Sequence, residues 1–145
     1  MKNRIMILLM VCTGTWMMAA CTNELDITRS FPFTVETMPI PKAVRQGDTV
    51  EIRCTLKTEG SYAGTHYTVR YFQYVGNAEL RMGRDGEPFI PNDRYLVIKG
   101  DFRLYYTSHS SGQQNMEIVF EDNHGQSRIL ELQFNEKREE PEDAG

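Results

Sequence analysis

Cys21 is the residue whose type and position most directly indicate a chemical reaction in this 145-residue chain. It follows an apolar segment, residues 5–20, which is preceded by two basic residues. This layout is typical of a secretory signal peptide, and the segment is shorter than the roughly 20 apolar residues that a membrane-spanning helix needs. Met18 lies at position −3, where it is too large for ordinary signal cleavage but suits a lipoprotein-processing enzyme. We therefore predict a lipoprotein signal peptide over residues 1–20 and a diacylglycerol group on Cys21, with plain secretion as the alternative.

Neither of the two remaining cysteines is predicted to react. Cys12 lies in the predicted signal peptide and Cys21 is the lipid site, so Cys54 has no partner for an internal disulfide. Cys54 alternates in phase with apolar neighbours, which predicts a small buried hydrophobic residue rather than a reactive thiol. A nucleophilic pair of Cys54 with His66 is conceivable, but the same phase argues against it.

No other group of residues has the spacing of a known catalytic or metal site. The three histidines show no metal-ligand spacing, the serines of segment 108–111 lack a glycine elbow, and the acidic groups at 85–93 and 121–122 lack calcium-loop spacing. Solvated turns explain those carboxylates better, and a carboxylate pair for glycoside hydrolysis would need a cleft that is not recognisable here. We therefore expect no enzymatic activity, no cofactor and no metal.

The charge of the chain argues against nucleic acid as a partner. With 16 basic and 20 acidic residues the formal net charge is −4, and removal of residues 1–20 leaves 14 basic and 20 acidic residues, a net charge of −6. Such a surface repels phosphate groups, so direct binding of DNA is not expected.

The mature chain is long enough for one domain with two polar ends. Residues 21–30 are polar and are predicted to form a lipidated tether. Aromatic and branched residues recur over 31–135, which we predict to be the folded domain. Residues 136–145 contain five acidic residues and are predicted to be a disordered acidic tail.

Apolar residues in the central region recur at every second position, the period of a half-buried strand. The pattern covers segments 31–36, 48–57, 66–74, 102–106, 116–120 and 129–134, and more weakly 79–82 and 94–98. Turn residues separate these segments, and none of useful length has a helical repeat. About seven short antiparallel strands predict an all-β, immunoglobulin-like sandwich. The antibody-type disulfide and buried tryptophan are missing, since Cys54 has no partner and Trp16 lies in the signal peptide.

The aromatic residues outnumber what one inward face of a sheet can hold. If alternate residues of segment 66–74 point inward, Phe72 and Tyr74 point outward, beside Tyr105. Outward aromatics flanked by arginines would form either a protein-binding patch or a platform for sugars. A third interpretation is that the sheet is covered on both sides and these rings only pack along it. Phe72, Tyr74 and Tyr105 are thus the candidate partner-binding surface.

Five unusual strings carry a resemblance to a known family. They are FPFTVETMP at 31–39, YTVRYF at 67–72, PNDRY at 91–95, FRLYYTS at 102–108 and FEDNHGQ at 120–126. These strings closely resemble the TraQ family, small lipoproteins encoded in conjugative transposons of Bacteroides-type bacteria. The resemblance covers nearly all of 24–135 and implies a role in the envelope part of conjugative transfer. It implies no enzymatic activity, ligand or site residue.

Together these observations predict a lipid-anchored binding module of the cell envelope, with inner or outer membrane left open. Its partners would be a membrane, through the lipid, and other conjugative transfer proteins, for which it would be an accessory or adaptor. Contact is expected through loops, exposed aromatics or strand addition at the edge formed by residues 31–36. The alternative function is a surface lipoprotein that binds glycans through its exposed aromatics.

Overall fold

The structure of the protein is a computed structural model that describes residues 31–60 and 63–138. These residues form nine strands and no helix: β1 Phe33–Thr37, β2 Ala43–Val44, β3 Thr49–Thr58, β4 Tyr67–Val75, β5 Ala78–Met82, β6 Tyr95–Val97, β7 Gly100–Ser108, β8 Gln114–Asp122 and β9 Ser127–Glu136. The described part of the chain accordingly contains no helix that could cross a bilayer. The predicted signal peptide, Cys21 with its tether, and the last seven residues of the predicted tail lie outside the described residues.

The strands form two sheets packed face to face. One sheet has the order β1-β3-β7-β5 and the other has the order β2-β9-β8-β4-β6. Without the two shortest strands this is the arrangement of a constant-type immunoglobulin domain, with four strands facing three. The seven strands that remain each have five or more residues. The prediction of an all-β, immunoglobulin-like sandwich of about seven strands is therefore confirmed.

The core is formed by alternate residues of the strands, whose side chains point between the two sheets. On β3 the side chains of Val50, Ile52, Cys54 and Leu56 are buried between the sheets, while the residues between them face solvent. β7 pairs with β3 over its length and contributes Leu104 and Tyr106, which are fully buried. The second sheet closes the core from the other side with residues such as Val69, Ile118 and Leu132. The period of two seen in the sequence thus reflects one buried face per strand.

The chain changes sheets between β1 and β2. β1 pairs antiparallel with β3, whereas Ala43 and Val44 of β2 pair parallel with Asn135 and Glu136 of β9. The connecting segment, residues 38–42, contains two prolines, which suit a crossing that forms no ladder. β2 was not predicted, since two residues are too few to show a period. It is also the exception to the predicted antiparallel pairing.

The two ends of the sandwich differ in their relation to the chain termini. At the end that we call the entry end, the Phe31 carbonyl accepts a hydrogen bond from Gln126 Nε2 at 2.9 Å. At the opposite end, the far end, the Gly47 N–H donates to the Ser108 carbonyl at 2.8 Å. β9 runs from the entry end to the far end, and the Lys137 N–H after it donates to the Val44 carbonyl at 3.2 Å. The first residues of the predicted tail therefore belong to the fold.

A buried polar network closes the far end. The Gln114 amide is fully buried, and its Nε2 donates to Ser108 Oγ at 2.6 Å and to the Ser110 carbonyl at 3.0 Å. Its Oε1 accepts a hydrogen bond from the Tyr106 hydroxyl. Because unpaired polar groups are costly inside a protein, this pairing permits burial of the Gln114 amide and the hydroxyls of Tyr106 and Ser108 beside the core.

Candidate interaction surfaces

The outer face of the five-stranded sheet carries the two outward aromatics of β4. The rings of Phe72 and Tyr74 are stacked, with centroids 6.3 Å apart and planes 19° from parallel. The register of β4 against β8 shifts between Gln73 and Val75, so Tyr74 is the extra residue of a bulge. A bulge bends the strand and redirects its side chains. Tyr74 is 61% exposed, whereas Phe72 is half-buried.

Arg70 holds the other side of the aromatic pair. Its guanidinium lies over the Phe72 ring, with Cζ 5.4 Å from the ring centroid. The same group contacts the Glu121 carboxylate at 2.8 Å and Asn92 Oδ1 at 3.2 Å. Arg94 Nε approaches the second Glu121 oxygen at 3.0 Å. Arg70 is thus positioned from two sides, and Phe72 lies between a fixed cation and Tyr74.

Aliphatic side chains extend this surface across the sheet. The register places Arg70 opposite Val119, and Val119 opposite Ile129 on β9. Val119 is 5% exposed although it does not belong to the core between the sheets, so its own outer-face neighbours cover it. Ile129 and Leu96 are well exposed. We define the aromatic face by these residues: Phe72, Tyr74, Leu96, Val119 and Ile129.

One of these aliphatic members could be recognised from a local sequence pattern. Ile118, Val119 and Phe120 are consecutive apolar residues, and such a run indicates a strand covered on both faces. Alternation alone identifies only the inward residues of that strand. The ion pairs of Glu121 had no detectable signal, because Arg70 and Arg94 are distant from it in sequence.

Tyr105 does not join Phe72 and Tyr74, and the expectation that it lies beside them is wrong. It belongs to β7 of the four-stranded sheet, where the register places it between Glu51 of β3 and Arg81 of β5. The outward residues of the two sheets of a sandwich point in opposite directions. Tyr105 is also only 8% exposed, since the neighbouring charged side chains cover its ring. Alternation along the strand predicted that the Tyr105 side chain points outward, but it does not show which sheet that strand joins.

The side chains with possible reactivity lie in ordinary structural settings. Cys54 is buried, and desolvation raises the pKa of its thiol to about 12, so its thiolate is not available near neutral pH. His109 Nε2 lies 3.3 Å from Glu79 Oε2, His124 Nε2 lies 3.0 Å from the Thr65 hydroxyl, and His66 Nδ1 lies 3.3 Å from the Gly64 carbonyl. Among the residues that the structure describes, no group of three or more His, Cys, Asp or Glu side chains could hold a metal.

Comparison with known proteins identifies the family. The model of the TraQ conjugal transfer protein family matches residues 4–137. A conjugative transposon lipoprotein from Bacteroides eggerthii, known from a crystal structure, is 53% identical over 73% of this chain and 99% of its own, with a TM-score of 0.67. A lipoprotein from Bacteroides thetaiotaomicron, solved by NMR, is 43% identical over 84% of this chain and 93% of its own, with a TM-score of 0.68.

A third similar structure is a conjugate transposon protein from Bacteroides vulgatus, also solved by NMR. It is 46% identical over 85% of this chain and 99% of its own, with a TM-score of 0.65. No curated protein matches the chain. The family match covers more than nine-tenths of the sequence, and it includes the whole of 24–135, over which the five strings indicated the resemblance. The chain therefore belongs to the TraQ family of conjugal transfer proteins, and this membership indicates involvement in conjugative transfer.

Proposed function

We propose that this protein is a lipid-anchored binding module that serves the conjugative transfer apparatus as an accessory or adaptor, and that its aromatic face contacts a partner protein. The observation that carries the proposal is the stacked pair of Phe72 and Tyr74, which lies partly exposed on a sheet face and is held in place by Arg70. Tyrosine, phenylalanine and arginine are enriched in protein interfaces, because all three offer a large contact area and tyrosine and arginine also form directional polar contacts. No catalytic step belongs to the proposal.

The anchor is proposed to be the acylated Cys21. Two similar proteins are described as lipoproteins, and the signal pattern before Cys21 is of the kind that lipoprotein processing requires. Two or three acyl chains hold a protein stably on a bilayer, whereas one does so only marginally. Residues 22–30 would give the domain a reach of about 30 Å, at roughly 3.3–3.6 Å per residue. Tethering of this kind raises the effective concentration of the domain for partners in the cell envelope.

The position of Tyr74 suits contact with a protein beyond the membrane surface. The tether would join the domain at the entry end, beside Phe31, whereas Tyr74 lies near the far end of β4. The seven residue steps from Tyr67 to Tyr74 span about 23 Å at about 3.3 Å per residue. If the domain stands on its entry end, Tyr74 would therefore lie on the part of the domain that is distant from the lipid.

Glycan binding fits the aromatic face less well. A sugar platform needs an open ring face, but one face of Phe72 is occupied by the Arg70 guanidinium and its neighbour Tyr74 stacks beside it. Four surface depressions formed by the described residues have volumes of about 390–510 Å³, and none of these four is lined by Phe72 or Tyr74. Exposed aromatics with aliphatic neighbours, outside these four depressions, are more typical of a protein interface.

The experiment that tests the binding surface is photo-cross-linking in donor cells. A photoreactive amino acid is placed at position 74 of the otherwise unchanged protein, and cross-linked products are identified by mass spectrometry. Recovery of conjugative transfer proteins is expected. A second strain carries the reactive group at Met38, which is 59% exposed but lies after β1, outside the aromatic face. The same products at both positions, or polysaccharide at position 74, would contradict the proposed surface.

The anchor is tested separately. Cys21→Ser is expected to abolish incorporation of a labelled fatty acid and to release the protein from the membrane fraction, whereas Cys54→Ser leaves both unchanged. Persistence of the label in Cys21→Ser would exclude lipidation at this residue. The outcome at Cys21 does not affect the cross-linking result at position 74 of the anchored protein.

A further inference from the structure

The outer edge of β9 is open over most of its length. β8 pairs with one side of β9 over residues 127–134, whereas on the other side β2 covers only Asn135 and Glu136. Within the described part of the chain, no strand therefore lies beside 127–134 on the outer edge. β1, the edge strand predicted from the sequence to accept a partner strand, has five residues, and its Glu36 is already paired with Lys57 at 2.6 Å. β9 thus offers the longer open edge.

The backbone groups on this edge can be assigned residue by residue. The Asn135 N–H donates to the Lys42 carbonyl at 2.8 Å, so it points away from β8. The N–H and C=O of one residue in a strand point to the same side, and that side alternates along the strand. Ile129, Glu131 and Gln133 have the same phase as Asn135. Their N–H and C=O groups therefore face the open edge, whereas the residues between them bond β8.

The open edge is accessible and regular. Ile129 is 59% exposed, and the side chains of Glu131 and Gln133 are exposed as well. A depression of about 470 Å³ lies along the far half of the edge, and its lining includes Glu131, Gln133 and residues 40–42. The stretch 127–134 contains no proline or glycine, and its pairing with β8 has no register shift. The devices that commonly prevent pairing at an exposed edge are therefore missing from this stretch.

Glu131 determines the charge that an added strand would meet. On the outer face of the sheet it lies directly opposite Glu117 of β8, where like charges are destabilising. Neither carboxylate forms an ion pair with another described residue. The third carboxylate of this face, Glu121, already binds both Arg70 and Arg94. The carboxylates of Glu117 and Glu131 are therefore the two on this face that lack a counter-charge.

Neighbouring basic side chains do not supply this counter-charge. Lys42 lines the same depression as Glu131 but forms no ion pair with a described residue. Arg128 has the inward phase, and its Cζ lies 5.2 Å from the centroid of the Phe33 ring. The open edge of a second copy could not supply the charge either, because none of its outward residues is basic: Ser127, Ile129, Glu131 and Gln133.

We propose that the outer edge of β9 accepts an extended segment of a partner protein as an additional strand, and that this segment carries a lysine or arginine opposite Glu131. Antiparallel pairing with Ile129, Glu131 and Gln133 would form about six backbone hydrogen bonds. The basic side chain would supply the counter-charge that Glu117 and Glu131 lack. The net charge of −4 on the chain also favours the approach of a basic segment.

Amide hydrogen exchange of the full chain in detergent, followed by NMR without any ligand, tests whether the edge is open. The N–H groups of Ile129, Glu131 and Gln133 are expected to exchange rapidly, whereas those of Leu130 and Leu132 are protected by β8. Protection of all five would show that the edge is already occupied. If that protection is independent of protein concentration, another segment of the chain occupies the edge; if it rises with concentration, a second copy does. Either result would overturn the partner assignment.

The preference for a basic residue is tested with a fluorescein-labelled heptapeptide, Thr-Val-Lys-Val-Ile-Val-Thr, and fluorescence anisotropy. Saturable binding is expected, and glutamate in place of the lysine should weaken it by about tenfold, because attraction across the strand pair becomes repulsion. Glu131→Lys should reverse the preference between the two peptides. Glu36→Lys makes the same charge change on β1 and should leave the preference unchanged. An equal change in both variants would contradict the assignment to β9.

A proline on the open edge tests the backbone contacts. Gln133→Pro removes an N–H that faces the open edge and no hydrogen bond to β8, so the fold should persist, as checked by the melting temperature. Peptide binding should weaken by about tenfold, whereas Gln133→Ala keeps the N–H and should bind normally. Equal binding by these two variants, or no saturable binding by the unchanged protein, would overturn the proposal.

Two further measurements complete the test. The heptapeptide N-methylated at its lysine lacks the N–H that would meet the Glu131 carbonyl, so it should bind as weakly as the proline variant does, with no change to the protein. Normal binding of this methylated peptide would exclude strand addition. The double variant Phe72→Ser/Tyr74→Ser is expected to bind the unmodified peptide normally, so failure of strand addition leaves the proposed function untouched.

Discussion

The Arg70 guanidinium lies over the Phe72 ring, 5.4 Å from its centroid, while its other side is held by Glu121 at 2.8 Å. This relationship fixes the orientation of an aromatic side chain on the outside of a sheet. A side chain that is already ordered loses less conformational entropy when a partner binds. The ion pair and the aromatic face are therefore parts of one pre-ordered surface.

The contact between Arg70 and Phe72 should be measurable in a double-mutant cycle. Arg70→Met keeps much of the apolar stem and removes the charge, and Phe72→Leu removes the ring. We expect a coupling energy of about 0.5–1 kcal/mol in urea unfolding, the range of a partly exposed cation–π contact. A second cycle with Lys57→Met in place of Arg70→Met is the control, since Lys57 lies on the other sheet. Equal coupling in both cycles would show that the contact contributes nothing specific.

The far-end network predicts a large effect for an isosteric change. Gln114→Leu keeps the volume of the side chain but leaves the Tyr106 hydroxyl and Ser108 without their shared partner. We expect a loss of about 1–3 kcal/mol in the free energy of unfolding, the cost of unpaired buried polar groups. Gln113→Leu changes the exposed neighbouring residue and should lie within about 0.5 kcal/mol of the wild type.

Gly76 is the position where both backbone angle and space require glycine. Its φ is +79°, and a Cβ there would lie 2.6 Å from Gln114 Cγ. Gly47 has a φ of +90° but no atom within 4 Å of the same virtual Cβ. Each alanine variant bears the left-handed backbone cost of about 1–2 kcal/mol, and Gly76→Ala should lose about 1–3 kcal/mol more through overpacking. Equal melting temperatures for the two variants would contradict this account.

Cys54 should be inert in the folded protein. Burial raises the pKa of its thiol to about 12, and the side chain is 2% exposed. Iodoacetamide at pH 8 is therefore expected to alkylate it only after unfolding in urea, as followed by intact-protein mass spectrometry. Complete labelling of the native protein within minutes would show that the strand opens readily.

Stability should fall in acid partly through Glu51. Its hydrogen bond from Arg53 holds the folded-state pKa below its ordinary value of 4.5. The favourable contribution is therefore present above about pH 4.5 and is lost as the pH falls through the folded pKa. We expect the melting temperature of Glu51→Gln to depend less on pH between 5 and 3 than that of the wild type. Glu131→Gln, on the other sheet, controls for removal of a charge, and an equally flattened profile there would contradict the role of Glu51.

Strand positions could be read from the sequence because each strand buries one face. Segment 48–57 alternates without interruption, and it corresponds to β3, Thr49–Thr58. Segment 102–106 was shorter than β7, Gly100–Ser108, since the strand ends hold glycine and polar residues that show no alternation. β2 was not predicted, because it is a strand only through its pairing with Asn135 and Glu136, which are distant in sequence.

For the candidate partner-binding surface, too, one part was predictable from the sequence and another part was not. Outward phase was predictable for Phe72, Tyr74 and Tyr105, because side chains alternate along any strand. Their grouping was not predictable, since alternation does not show which sheet a strand joins. Assembly of the fold separated Tyr105 from the other two and placed it between Glu51 of β3 and Arg81 of β5, near Arg84 in the turn that follows β5.

By itself, the sequence determined the family, the all-β class and the alternating faces, because these depend on local pattern and on long shared strings. Only the tertiary structure decided which residues share a surface. Strand order brings Arg70 to Glu121 across 51 positions of sequence, and Arg103 to Glu51 across 52. Such contacts depend on how sheets assemble, and the physical cause is burial of the shared core rather than any local preference.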